Sequence, residues 1–372
     1  MSTVDLDTTP PLLAPSPDVA YIPSPTCEEF ILATAAPDMR ARLLILMGSR
    51  GEGKTFSGIY ACIALAQTIA RLGRRSSLPL RVAVVRDTWA NLARTTLVSF
   101  KEARRLGLAV DFSNGDREAD IPSLVHWDFF GLDRPDDADR MQGYSCGVLW
   151  LEEVAPAAGL ASGVPRESLG IGATSLRQVG VPKRILVTMN PPDEDHWILK
   201  VEEFFEELGL SDVIVQRFTI PSGEKSRHFE ALAAQARTEA EQHGWTEAAE
   251  EFDAYRRRNK AFLESIDRMD LVARLAEGKV GGLQLGESVV PEFARNLHVY
   301  TDDHGQPIPI PVYPGVPIIR GWDAGLTPTT VWLQVLPNQN INVLGTRTSL
   351  NKGMAQHIMD EVVRFQRDYN IL

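Results

Sequence analysis

Between residues 40 and 220 the chain alternates short apolar runs with longer stretches whose apolar positions recur every three or four residues. LLILM (43–47), RVAVVR (81–86), LVHWDFFG (124–131), GVLWLEE (147–153) and KRILVTMNPP (183–192) are the short runs. Their compactness and β-branched content predict strands. FSGIYACIALAQTIARL (56–72) and TWANLARTTLVSFKEARRLG (88–107) have helical periodicity, and Gly107 closes the second. Strands alternating with helices predict an α/β fold with a mainly parallel sheet covered on both faces.

The pattern changes after Pro221. Residues 226–275 are rich in Ala, Glu, Gln and Arg without a strand-like run, which predicts a small helical segment. The glycine-rich EGKVGGLQLGE (277–287) marks a hinge or boundary, and the proline-rich QPIPIPVYPGVP (306–317) a connector. Strand-like PIIRGWDAGLTPTTVWLQVL (317–336) and INVLGTRTSL (341–350) follow, then an amphipathic helix, MAQHIMDEVVRFQRDY (354–369). The expected organisation is a flexible leader (1–25), an α/β domain (26–221), a helical lid or linker (222–290), a connector (291–316) and a second α/β unit (317–372).

Composition narrows the classes. The chain has 372 residues, 44% of them hydrophobic and 23% charged, as in an ordinary globular protein. No apolar run approaches the ~20 residues of a membrane-spanning helix, and the N-terminus has no basic start before an apolar core. Cys27, Cys62 and Cys146 form no CxxC pair, which argues against a disulfide framework or a zinc site. A net charge of −11 argues against nonspecific coating of nucleic acid. RLGRRSSLPLR (71–81) and YRRRNK (255–260) remain either solvated faces or local DNA contacts.

The chemistry concentrates at GSRGEGKT (48–55), which matches G-x-x-x-x-G-K-[ST], the Walker A pattern, between a strand and a helix. Gly48, Gly51 and Gly53 allow a curl in which successive N–H groups, those of Ser49, Arg50 and Glu52 included, face phosphate oxygens. The helix N-terminus adds positive potential. Lys54 is placed to reach the β- and γ-phosphates of ATP, and the Thr55 hydroxyl to ligate Mg²⁺. GVLWLEE presents Glu152 for the metal and Glu153 to orient or deprotonate an attacking water. TMNPP (188–192) places Asn190 at another strand tip, as a γ-phosphate contact or simply as an Asn-Pro turn.

An ordered series of segments resembles the large subunit of tailed-phage terminases. YIPSPTCEEF (21–30) is similar to the adenine-side segment before the loop, and VVRDTWANLARTTLVSF (84–100) to the strand and helix after it. FFGLDRPDDADRMQGYSCGVLWLEEV (129–154) resembles the approach to the paired acids, and TMNPPDEDHWILK (188–200) the coupling motif. GESVVPEF (286–293) and RGWDAGLTPTTVWL (320–333) are similar to the lead-in and first strand of a nuclease domain.

The resemblance implies an ASCE-type ATPase that drives double-stranded viral DNA into a procapsid in the host cytoplasm. It implies a pentameric ring on the portal protein, assembled from a chain that is monomeric in solution, together with a small terminase subunit and no membrane. Arg50 matches a position proposed to act on phosphate in cis. A trans-acting arginine is expected before the paired acids; Gln142 precedes Gly143 there, and Arg140 is a candidate in displaced register. Asp323 matches a Mg²⁺ or Mn²⁺ ligand of an RNase H-like nuclease. Asp360, Glu361 and Asp368 fall on the predicted helix rather than on strand ends, so the nuclease is expected to be incomplete and inactive as it stands.

Two other classes share part of this pattern. A P-loop helicase or recombination ATPase would carry the loop and the acids but not RGWDAG after a proline-rich connector. A nucleotide-holding assembly subunit would not require Lys54, Thr55, Glu152 and Glu153 together.

Overall fold

The computed structural model describes residues 21–37, 41–134, 137, 141, 143–155, 163–194, 196–207, 213–265, 268, 271–281, 298–301, 308–323, 328–349 and 354–369. Two compact units divide the chain, residues 1–286 and 287–372.

The first unit is built on an eight-stranded sheet. Its strands are β1 (Ala41–Met47), β2 (Leu80–Arg86), β3 (Asp111–Ser113), β4 (Glu118–Ile121), β5 (Val125–Gly131), β6 (Val148–Glu152), β7 (Arg184–Met189) and β8 (Ile214–Thr219). The order is β3-β4-β5-β2-β6-β7-β1-β8, parallel from β5 through β8. β3 and β4 form an antiparallel edge.

The continuous apolar runs follow from burial on both faces. Leu44, Leu46, Val82, Val84 and Trp150 point into one core, and Leu43, Ile45, Val85, Leu149 and Leu151 into the other. The first core is covered by α1 (Pro25–Ala35), α2 (Lys54–Arg71) and the helix after β2. That helix runs as α3 (Trp89–Asn91), a π turn (Leu92–Thr96) and α4 (Leu97–Arg105). α5 (Arg166–Thr174) and α6 (Val201–Glu207) cover the second core. Each fully buried Leu, Ile or Val contributes about 1.5–3 kcal/mol, so the cores hold the strand tips in fixed register.

The helical segment beyond Pro221 consists of α7 (Glu224–Gln235), α8 (Glu239–Ser265) and a second π turn (Val272–Ala276). Phe229 stacks on Trp245 and Phe252, with centroids 5.6 and 5.4 Å away, and so staples α7 to α8.

The second unit is a three-stranded antiparallel sheet, β9 (Ile318–Asp323), β10 (Thr329–Val335) and β11 (Ile341–Thr348), followed by α9 (Met354–Tyr369). His357 of α9 is buried between hydroxyls, 2.6 Å from Thr330 Oγ1 and 2.7 Å from Ser349 Oγ. The strand-strand-strand-helix succession matches the sequence expectation.

Candidate active site

Three parallel neighbours, β1, β7 and β6, carry the predicted motifs at their C-terminal ends. β7 lies between the other two, so residue 190 falls between the loop after β1 and the carboxylates after β6. This strand order brings Lys54, Thr55, Glu152, Glu153 and Asn190 to one cavity of about 900 Å³.

Gly51 and Gly53 of the loop have φ of 85° and 89°. A side chain there would cost about 1–2 kcal/mol per residue. The loop backbone is anchored on both sides: Gly48 N donates to Met189 O at 3.3 Å, and Arg50 N to Leu275 O at 2.9 Å. Lys54 opens α2 and is 7% exposed. Its Nζ donates to Ser49 O at 2.8 Å and to Asn190 Oδ1 at 3.1 Å. Burial pushes this ammonium down, and Glu153 and Glu152 pull it back up.

Thr55 Oγ1 donates to Glu152 Oε1 at 2.6 Å. The other oxygen of Glu152 accepts from the Thr188 hydroxyl, which itself accepts from Trp150 Nε1 at 2.7 Å. Glu152 is 2% exposed; burial, then the neighbouring Glu153 charge, push its carboxyl up to about 6, against the pull of Arg86. Glu153 leaves the strand with φ of 51°, and its N–H donates to Thr188 O at 2.8 Å. The turn swings its carboxylate onto Asn190, whose Nδ2 donates at 3.1 and 2.9 Å and whose N–H donates at 3.3 Å. The Asn190 side-chain amide thus joins Lys54 to Glu153.

Other expected residues have different placements. The Glu52 carboxylate turns away toward the helical segment, where it accepts from Gly223 N at 2.9 Å and Lys225 N at 3.2 Å. It also accepts from Ser49 Oγ at 3.4 Å. Glu52 therefore caps α7 with its side chain and contributes only its backbone to the loop at 48–55. Reciprocally, Glu224 accepts from Thr26 N at 3.0 Å and Thr26 Oγ1 at 2.7 Å at the start of α1. Arg50 is exposed and lines the cavity. Arg140 lies outside the described residues. Asp323 is exposed at the end of β9, opposite Thr329, within the second unit.

Tyr21, Arg86, Lys225 and Tyr255 add to the site without having been singled out beforehand. The Tyr21 hydroxyl donates to Gly53 O at 3.2 Å, and its ring stacks on Tyr60. Arg86 ends β2 beside β6 and lines the cavity. Its guanidinium donates to Thr95 Oγ1 at 2.5 Å and Thr96 Oγ1 at 3.3 Å, both on the first π turn. A cation ending the apolar run RVAVVR was the signal available for Arg86. Lys225 and Tyr255 come from the helical segment, and no local pattern connects them to the loop.

The arrangement can collect an anion on the loop amides and the Lys54 ammonium, with two hard oxygen donors and the Asn190-held carboxylate of Glu153 alongside. Among the described residues, no three His, Cys, Asp or Glu side chains group as a metal cluster. No described helix is long and apolar enough to cross a membrane.

No family model matches the sequence, and no curated protein matches it either. Solved structures do. The chain is similar to the large terminase from a thermophilic bacteriophage, at 14% identity over 94% of this chain and 75% of that one, with a TM-score of 0.41. The same terminase in complex with ADP gives 15% identity over 93% and 74%, with a TM-score of 0.42. The Phi-28 gp11 DNA packaging motor gives 12% identity over 82% and 76%, with a TM-score of 0.35.

Proposed function

We propose that the protein is an ATPase whose hydrolysis drives double-stranded DNA into a viral procapsid. The observation that carries the catalytic part is the Asn190 bridge between Lys54 and Glu153 at adjacent strand tips. The ordered motif series carries the packaging part, since the loop and the acids alone suit many ATPases.

In this reading the loop amides and Lys54 bind the β- and γ-phosphates, and the incoming phosphate competes with Ser49 O for the Lys54 ammonium. Glu153 accepts a proton from water as the water oxygen bonds to the γ-phosphorus. The bond from that phosphorus to the β,γ-bridging oxygen breaks, leaving ADP and phosphate. Asn190 fixes the direction of the Glu153 carboxylate. Arg50 stands at the cavity wall to offset charge growing on the phosphoryl oxygens, with Arg140 as the candidate acting on a neighbouring subunit. Thr55 and Glu152 fit Mg²⁺: both offer hard oxygens, 2.6 Å apart, and Glu152 is a buried carboxylate beside a second one. The ion would supply charge neutralisation at the phosphates.

The partners of this reading are duplex DNA, a portal-bearing procapsid and a small terminase subunit, with a pentameric ring forming on the portal in the host cytoplasm. Asp323 is proposed as a metal ligand of an RNase H-like cutting domain. The test is ATP turnover with and without DNA and procapsid. Turnover stimulated by them, and lost in Glu153→Gln while ATP still binds, supports the proposal. Unchanged turnover in that variant removes Glu153 from its role, and fork unwinding without packaging favours a helicase.

A further inference from the structure

We propose that Lys225 is a second phosphate-binding lysine of the same site, delivered by the helical segment to the nucleotide's phosphoryl oxygens. The inference rests on the nucleotide-binding reading above and adds a residue outside the loop, the paired acids and the coupling motif.

Lys225 lies in the first turn of α7, two residues after the N-cap Gly223. A helix N-terminus ordinarily offers its amides to an anion. Here the amides of Gly223 and Lys225 are already taken by the Glu52 carboxylate, at 2.9 and 3.2 Å. What α7 still offers the cavity is the Lys225 side chain. It lines the space shared by Arg50, Lys54, Thr55 and Glu153.

Among the described residues the ammonium has an aromatic partner and no anion within 4 Å. Its nitrogen lies 3.7 Å from the centroid of Phe252, on α8. Among the described residues it makes no ion pair within 4 Å and no side-chain hydrogen bond. Glu52 of the loop, Glu251 of α8 and Cys27 of α1 face it from a distance and draw its pKa upward. Burial outweighs them and pushes the ammonium down to about 8. An aromatic face offsets only part of the desolvation of a cation. A phosphoryl oxygen entering the cavity supplies the missing charge. Lys54 gives up contacts to Ser49 and Asn190 to meet phosphate, whereas Lys225 has no such contact to lose.

The consequence is proton uptake. The free protein holds Lys225 partly neutral above pH 8, and phosphate binding recharges it. Mg²⁺·ADP binding is measured by calorimetry at pH 7.0 and 8.5, in buffers of low and high ionisation enthalpy. The proteins are the wild type, Lys225→Met, Lys225→Arg and Lys54→Ala. The wild type should take up more protons than Lys225→Met at pH 8.5, and the excess should shrink at pH 7.0. Lys225→Met should bind about tenfold more weakly at pH 7.0. Lys225→Arg, permanently charged, should bind within about threefold of wild type without the extra uptake. Equal affinity and equal uptake in the wild type and Lys225→Met would overturn the proposal. Should Lys225→Met fail to fold, uptake by Lys225→Arg equal to that of wild type overturns it instead. Absence of ADP binding by the wild type, matching Lys54→Ala, would sink the nucleotide reading itself.

Discussion

The side-chain amide of Asn190 donates to both carboxylate oxygens of Glu153, at 3.1 and 2.9 Å. Its carbonyl oxygen accepts from Lys54 at 3.1 Å, so one amide spans cation and carboxylate. Asn190→Ala leaves a buried Lys54 with a single acceptor and a Glu153 carboxylate that keeps only the main-chain donor. ATP hydrolysis is expected to fall about 10- to 100-fold, the scale of one lost outer-shell partner that orients a functional group. Affinity for ADP should change by less than about threefold, because the loop amides remain. Steady-state turnover and equilibrium binding of the same variant check the two halves.

Glu153 is held in the left-handed region, with φ of 51°, by the main-chain bond from its N–H to Thr188 O. A side chain in that region costs about 1 kcal/mol or more relative to glycine. Glu153→Gly and Glu153→Ala both remove the carboxylate, and so differ chiefly in backbone strain. The glycine variant should be more stable than the alanine variant by about 1 kcal/mol, while both lack turnover. Urea denaturation of the pair gives the difference directly; an alanine variant more stable than the glycine variant, by about 0.4–1 kcal/mol, would mean that the turn is unstrained.

Much of this site was readable because its spacing is local and its strands are buried on both faces. GSRGEGKT, GVLWLEE and TMNPP each place polar tips on an apolar strand, and parallel pairing then aligns the tips. The edge strands were harder. β8 reads IVQRFT with three of its six residues exposed and Phe218 alone buried, so it lacks the apolar signature of its neighbours. β3 and β4 have three and four residues, too few for periodicity to register. The capping of α7 by Glu52 joins residues 171 positions apart, and no local pattern encodes it. Arg86 stood in plain view in RVAVVR, but its value depends on β2 lying next to β6, which is topology rather than spacing.

Gly58 shows how the loop helix is seated on the strand that carries the acids. A Cβ at Gly58 would lie 2.2 Å from Cζ2 of Trp150, which is fully buried and hydrogen-bonded to Thr188. Neither the indole nor the strand can retreat without disturbing Thr188 and, through it, Glu152. Gly58→Ala should destabilise the first unit by about 1–3 kcal/mol. Because the strain falls on the site, turnover should also drop at temperatures where the protein is still folded. Paired thermal melts and activity measurements separate the two effects.

His126 couples stability to pH at the junction of the antiparallel edge with the parallel sheet. Its Nδ1 lies 2.7 Å from Asp120 on β4, and its Nε2 lies 3.0 Å from Asp128 on its own strand. Hydrogen bonding to Asp128, aided by Asp120, pushes the imidazole up to about 9 against the effect of burial. Because the folded value lies above the unfolded one, near 6.5, protonated His126 stabilises the fold fully below about pH 6.5. The contribution is lost as pH rises through about 9. Asp120 is 37% exposed, so solvent screening reduces the effect to about 1–2 kcal/mol. His126→Gln should therefore be less stable than wild type by that amount at pH 6, with the gap closing by about pH 9–10. Denaturant midpoints for both proteins across this range check the sign. A gap that widens with pH would show that the imidazole is neutral in the folded protein.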